Sequence, residues 1–228
     1  MRLSKKLLMA PLLSLPLVFN SVPDTRVEEH NIKKSQEELF EEKFDVDLNV
    51  EGYAKDDLEG IKMMVPRGVD SIYIDDDLTL DQEEKILPHE YAHIIQNNIR
   101  KELKEKQIYK PVYDASKIYS LFVLEGSAEA AKYLALDEEI KEDGGFEPFE
   151  NKRSAWLFYG FCPGEFYTKG ASLFYPMMKE KGLEKTLVGL FTTDPPKNTD
   201  FWTEEKRKKY LDKVEKNSDK YSSIIVDK

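Results

Sequence analysis

Cysteine and histidine are scarce in this sequence of 228 residues, which has one cysteine and three histidines, and its 34 lysine and arginine residues are outnumbered by 44 aspartates and glutamates. The single cysteine, Cys162, excludes a disulfide within the chain and a zinc site built from cysteines. The formal net charge of -10 leaves no basic excess to meet phosphates, which argues against a nucleic-acid partner. With 40% hydrophobic residues, 34% charged residues and no internal repeat, the composition is typical of a soluble globular protein.

Long apolar runs are also missing, apart from one near the N-terminus. Arg2, Lys5 and Lys6 precede a run without charge from residue 7 to residue 19, and polar residues follow it. The run is short for a bilayer span and has the order of a secretory signal, so residues 1–22 are predicted to be a signal peptide or an N-terminal anchor. A buried N-terminal helix is disfavoured by two prolines in the run. We therefore expect an exported protein, either secreted or attached to the outer face of the membrane.

Residues 23–48 are rich in glutamate and lysine, and we expect a charged linker or a solvated helix there. Residues 49–228 are expected to form one domain. In its first part, glycine and proline separate short apolar runs, which predicts strands over residues 61–65 and 71–75. The second of these is expected to be the edge strand of a small sheet that borders a cleft. Because helical patterns follow, the predicted fold class is α+β, with a mostly helical lobe that carries a metal site.

The segment His89-Glu90-x-x-His93 places two imidazoles and one carboxylate at a spacing that suits a metal site. On a helix, residues four apart project from one face about one turn apart, as two ligands of a tetrahedral metal must. Glu90 lies beside them, where it can take a proton from metal-bound water. A separate apolar stripe consists of Tyr91, Ile94, Ile95 and Ile99. The pattern predicts a zinc site; the alternative is a surface helix with two solvated histidines.

The start of this helix is marked by Thr79 and Gln82, which match a capping box. Pro88 lies inside the helical pattern. Because proline removes a backbone donor and clashes with the preceding turn, we expect a kink or a fresh helix start there. His89 and Glu90 would then lie in the first turn.

A second helix is predicted over residues 117–136, in which Glu125, Glu129 and Lys132 are the charges after residue 118. A buried carboxylate is costly unless a cation or strong donors compensate it, so two glutamates one turn apart on an apolar helix require a partner. Zn²⁺ and the free N–H of a ligating histidine would supply one. The alternative is that both glutamates lie on the solvent-exposed side of the helix.

The rest of the chain is predicted to be helical with short breaks. Helices are expected over residues 154–161, 165–181, 183–191 and 204–216, with a solvated acidic loop over residues 137–150. Pro163-Gly164 is expected to be a break, and Gly182 is expected to stop a helix. The last helix would turn Tyr210, Leu211 and Val214 inward.

Three segments together resemble a known family. His89-Glu90-x-x-His93 followed by Leu124-Glu125-Gly126 resembles the gluzincin metallopeptidases, in which a later helix supplies a glutamate as the third zinc ligand. Tyr167-Thr168-Lys169-Gly170-Ala171 is similar to a Tyr-x-x-Gly segment of the same clan. Residues 193–200 are similar to a Pro-Pro-x-x-Thr-Glu segment of small prokaryotic members. The resemblance covers about residues 70 to 210.

The resemblance implies a zincin-like fold and zinc-dependent hydrolysis of a peptide or protein substrate. His89, His93 and Glu125 would bind Zn²⁺, Glu90 would act as the base, and Tyr167 would polarise the scissile carbonyl. A tyrosine that only packs in an aromatic-rich helix is the alternative for Tyr167. No glycine-rich exopeptidase motif precedes the metal helix, which favours an endopeptidase over an aminopeptidase.

The choice of Glu125 over Glu129 as the ligand rests on this resemblance and on Gly126, which is expected to let the two metal-site helices approach closely. Glu129 would then accept the N–H of a ligating imidazole and fix its tautomer. Two other functions stay open. One is a non-catalytic exported or envelope protein that keeps a structural zinc helix, and the other is a zinc hydrolase of non-peptide substrates.

Overall fold

The computed structural model describes residues 25–56, 58, 62–66, 68–110, 118–140, 159–195 and 204–223. The predicted signal peptide or anchor, most of the acidic loop, most of the helix predicted over residues 154–161 and the end of the third resembling segment lie outside the described residues. In the part that is described, no helix is both long and apolar enough to cross a bilayer.

Six helices and three strands make up the described chain. They are α1 (Thr25–Phe44), β1 (Gly52–Asp56), β2 (Met63–Met64), β3 (Ser71–Asp75), α2 (Leu80–Glu105), α3 (Ile118–Ala135), α4 (Pro163–Lys181), α5 (Leu183–Thr192) and α6 (Glu204–Tyr221), and residues 159–161 add a short helical turn. The predicted α+β class is confirmed in this form: a mostly helical chain with one small sheet.

The sheet has the strand order β1-β3-β2. β3 pairs with β1 in parallel and with β2 in antiparallel orientation. The prediction that residues 71–75 form an edge strand is therefore wrong, because β3 is central and its Ile72 and Ile74 are fully buried. The missed strand, β1, has the sequence Gly-Tyr-Ala-Lys-Asp, whose weak apolar alternation hides it. β2 lies inside the strand predicted over residues 61–65.

The charged stretch before the sheet is a helix, α1, and one side of it belongs to the core. Phe40 is buried and its ring lies edge-on to Tyr91 of α2, with 5.5 Å between the ring centroids. Lys33 is also buried and its Nζ lies 3.3 Å from a carboxylate oxygen of Glu83. Lys55 of β1 approaches the other oxygen of Glu83 at 3.2 Å. α1 is thus fixed to α2 by both apolar and ionic contacts.

α2 runs without a break from Leu80 to Glu105, and the capping box of Thr79 and Gln82 is confirmed. Of the two outcomes expected at Pro88, a kink or a fresh helix start, the fresh start is wrong, so His89 and Glu90 lie in the third turn instead of the first. Proline removes only one helical hydrogen bond, and buried side chains on both sides of it hold the helix in place.

α3 and α4 cross with their backbones in contact. A methyl group added at Gly126 of α3 would lie 2.5 Å from Cα of Gly170 in α4. The expectation that Gly126 serves the approach of α3 to the metal-motif helix is therefore wrong, because the helix it admits is α4. The reason is the rotation between successive residues of a helix: the direction of Gly126 from the axis of α3 differs by about 100° from that of Glu125.

The C-terminal helices follow their predicted positions with shifted ends. α4 begins at Pro163, where a break was expected, because proline fits the first turn of a helix. It ends before Gly182, whose φ of 87° confirms the predicted stop. α6 extends beyond residue 216 to Tyr221. Its Tyr210 and Val214 are buried as predicted, and Leu211 is half-buried.

Candidate metal centre

Three helices bring the six predicted site residues together. α2 carries His89, Glu90 and His93, α3 carries Glu125 and Glu129, and α4 carries Tyr167. Both glutamates contact the ring of His89, so they lie on the side of α3 that faces α2. The alternative that they lie on a solvent-exposed side of α3 is therefore wrong, and most of this helix is buried. The alternative of two solvated histidines on a surface helix is likewise wrong, because His89 is buried and His93 is mostly covered.

The candidate ligand atoms converge on one point. Nε2 of His89 and Nε2 of His93 are 3.1 Å apart. Oε2 of Glu125 lies 3.2 Å from the first nitrogen and 3.5 Å from the second. A tetrahedral zinc with bonds of about 2.0–2.1 Å holds its ligand atoms about 3.3 Å from each other. His89, His93 and Glu125 therefore form a buried cluster that could hold a metal ion.

The donor set fits a metal on chemical grounds as well as by distance. On its other side, the His89 ring places Nδ1 3.0 Å from Oε2 of Glu129. A carboxylate can only accept, so Nδ1 carries a hydrogen, and once Nε2 has lost its own proton its lone pair points into the cluster. A bare imidazole nitrogen next to a carboxylate oxygen and a second imidazole repels both unless protons or a cation lie between them. Two imidazoles and one carboxylate are a donor set that suits Zn²⁺ and other divalent transition metals.

The pKa values of His89 and Glu125 show that the cluster favours positive charge on its imidazoles. Burial opposes a charge on His89, but the hydrogen bonds that its ring donates to Glu125 and Glu129 outweigh this effect and raise the pKa of His89 to about 10. Burial also opposes the ionised form of Glu125, yet His93 and His89 bring the pKa of this carboxyl well below its usual range. The cluster thus combines an anionic carboxylate with imidazoles that hold protons tightly in the absence of a metal.

Glu90 lies beside the three candidate ligands and is buried. Burial raises the pKa of its carboxyl, an effect that His89 and His93 partly oppose. The carboxylate accepts a hydrogen bond from the backbone N–H of Val65, directly after β2. The strand next to the site is therefore β2, an edge of the sheet, and not β3 as predicted.

Tyr167 lies against the imidazole of His89. The two rings are stacked with centroids 5.8 Å apart and planes 29° from parallel. Its hydroxyl makes a hydrogen bond with Tyr159, and burial, followed by the charge of Glu125, raises the pKa of Tyr167 above its usual value. The phenol of Tyr167 therefore keeps its proton near neutral pH.

Several residues that support the site were not predicted from the sequence. Lys132 pairs with the second oxygen of Glu129, and Gln96 makes a hydrogen bond with Nδ1 of His93. Gln96 could have been found, because an amide one turn from His93 on a largely buried helix needs a buried partner. The contribution of Val65 could not, because it comes from a backbone N–H.

Comparisons of the chain with models of known protein families, with curated proteins and with solved structures found no match. Its function is therefore inferred from the residues of the site.

Proposed function

We propose that the protein is a zinc-dependent metallopeptidase of the gluzincin type, an endopeptidase that acts on peptides or proteins outside the cytoplasm. The observation that supports this proposal is the convergence of His89 Nε2, His93 Nε2 and Glu125 Oε2 within hydrogen-bonding distances, with the buried carboxylate of Glu90 beside them.

The number of ligands favours catalysis over a structural role. Structural zinc sites are closed by four protein ligands, whereas catalytic sites have three and leave one position for water or substrate. Within the described ranges, the cluster contains three candidate ligands, two imidazoles and one carboxylate. This set favours the enzyme over the alternative of a non-catalytic protein with a structural zinc helix.

When bound, zinc would act as a Lewis acid and lower the pKa of a water molecule toward about 7. Glu90 would accept the proton of the attacking water and deliver it to the leaving amine. Burial supports this role, because a carboxyl with a raised pKa is a stronger base than an exposed one. The hydrogen bond from Val65 orients the carboxylate.

Tyr167 would donate a hydrogen bond to the oxyanion that develops on the scissile carbonyl. Its ring is held against His89 and its phenol keeps its proton near neutral pH, as a donor requires.

A protease assay on the chain from residue 23 onward, wild type against Glu90→Gln, tests the proposed function. We expect the wild type with zinc to cleave members of a peptide library, and Glu90→Gln to bind zinc equally but to lose activity by about 100-fold or more. A wild type that binds zinc and cleaves no peptide would favour a zinc hydrolase of other bonds or a non-catalytic protein. Equal cleavage by both proteins would show that the activity does not come from this site.

Export is proposed on the charged start and apolar run of residues 1–22. Fusion of residues 1–30 to a reporter that is active only outside the cytoplasm tests it, with Arg2, Lys5 and Lys6 changed to glutamate as the control. We expect reporter activity with the native segment. A reporter that stays inactive would contradict export.

A further inference from the structure

Gln96 is one of the most deeply buried polar residues of α2, with 1% of its surface exposed. Each end of its amide has a partner. Oε1 lies 2.9 Å from Nδ1 of His93 in the same helix. Nε2 lies 3.0 Å from the backbone carbonyl of Leu124 and 3.0 Å from the hydroxyl of Ser127, both in α3.

The partners fix which way the amide points. The carbonyl oxygen of Leu124 can only accept a hydrogen bond, so the NH₂ group of Gln96 must face it. A flipped amide would set two carbonyl oxygens 3.0 Å apart in a buried site. Ser127 supports the same orientation, because its hydroxyl donates to Leu124 and is left to accept from Gln96. The amide oxygen therefore faces His93.

The orientation of the amide in turn fixes the tautomer of His93. An amide oxygen only accepts, so Nδ1 of His93 must carry a hydrogen and donate it. The remaining nitrogen, Nε2, is the atom that lies 3.1 Å from Nε2 of His89 in the cluster. A backbone carbonyl of α3 thus determines, through one side chain, which nitrogen of His93 can bind a metal.

We propose that Gln96 is a positioning residue of the metal centre. It fixes the tautomer and the ring orientation of His93, and it ties that imidazole to the turn of α3 that carries Glu125. The inference rests on the proposed zinc site. It gives the two histidines different supports, since His89 is held by the carboxylate of Glu129 and His93 by a neutral amide.

A purely structural role for Gln96, as a buried link between α2 and α3, is separable from the positioning role. Gln96→Met keeps the volume and removes every hydrogen bond. Gln96→Glu keeps an acceptor for His93 and loses both donated bonds. Ser127→Ala is the matched control, because it removes a partner of Gln96 on α3 and leaves the bond to His93 in place.

Two quantities are measured for the full chain: zinc affinity by competition with a chelator, and the unfolding temperature of the metal-free protein. We expect all three variants to lower the unfolding temperature. Zinc affinity should fall by about 10–100-fold in Gln96→Met, the usual effect of removing the partner of a ligating histidine. It should stay within about 3-fold of wild type in Gln96→Glu and Ser127→Ala, because His93 keeps an acceptor in both.

The two sets of values decide between the roles. The positioning role would be overturned if the zinc affinities followed the unfolding temperatures, with Gln96→Glu binding zinc as weakly as Gln96→Met. It would also be overturned if Gln96→Met bound zinc with wild-type affinity. If Gln96→Met does not fold, Gln96→Glu decides alone: affinity near wild type supports the proposal, and a loss of about 10-fold or more overturns it. A wild-type protein that binds no zinc would overturn the zinc site itself, which is a different result.

Discussion

Glu129 Oε2 lies 3.0 Å from Nδ1 of His89, while Glu125 Oε2 lies 3.2 Å from Nε2 of the same ring. One imidazole is therefore held between two carboxylates that are one helical turn apart on α3. Only the nitrogen that faces Glu125 also faces His93, so Glu125 lies on the side of the ring where a metal ion could be held. Glu129 lies on the opposite side, as predicted for the residue that orients His89.

The first prediction follows from this arrangement. Glu125→Ala should abolish tight zinc binding and most activity, because it removes one of the three proposed ligands. Glu129→Ala should weaken zinc affinity or activity by about 10–100-fold, because the metal keeps its ligands and loses only the orientation of one. Zinc titration of both variants checks this, with the exposed Glu139→Ala as the control. If Glu129→Ala were the more damaging change, the two roles would have to be exchanged.

The second prediction concerns Tyr167. Replacement by phenylalanine removes the hydroxyl and keeps the ring that stacks on His89. We expect kcat to fall by about 10-fold or more while zinc affinity stays unchanged. Tyr175→Phe is the matched control on the same helix, since its hydroxyl contacts the backbone of Glu138. An unchanged kcat in Tyr167→Phe would show that this tyrosine only packs.

The third prediction concerns protons released on metal binding. The pKa of His89 is raised to about 10 in the metal-free protein, so at pH 7 its imidazole is positively charged and both ring nitrogens carry a proton. Zinc must displace the proton of Nε2, and zinc affinity should therefore rise with pH up to about pH 10. Calorimetric titrations with zinc at pH 7, in buffers of different ionisation enthalpy, should show the release of about one proton or more. Binding heats that do not depend on the buffer would contradict a protonated His89.

The fourth prediction tests the crossing of α3 and α4. Gly126→Ala should destabilise the protein by about 1–3 kcal/mol, because the added methyl overlaps the backbone of Gly170 and forces the helices apart. Gly164→Ala in α4 is the control, since no other helix or loop places an atom within 4 Å of its added methyl. The free energy of unfolding is measured by urea denaturation. Equal stability of the two variants would show that the crossing relaxes without cost.

Local patterns predicted what depends on neighbours in sequence. The capping box, the extent of α3 and the stop at Gly182 follow from a few adjacent residues, and the structure has them all. The two histidines were identified from their helical spacing, whereas the choice of Glu125 came from the family resemblance.

Features that depend on distant partners were missed. β1 is defined by its pairing with β3 more than by its own sequence. Packing around Pro88 overrides the tendency of proline to break a helix. The partner of Gly126 depends on the rotation of α3 about its axis, which its nearly uniform apolar surface leaves undetermined.

Tyr91, between Glu90 and His93, links α2 to α1. Its hydroxyl lies 3.3 Å from the carbonyl of Lys33 and 3.0 Å from the hydroxyl of Tyr53. A zymogen is activated when an inhibitory segment leaves after cleavage, and α1 from Lys33 onward is not free to leave. Its departure would uncover Phe40 and take from the buried Glu83 one of its two lysines. If maturation involves proteolysis, we expect the cleavage to fall before Lys33, so that this part of the helix stays in the mature protein.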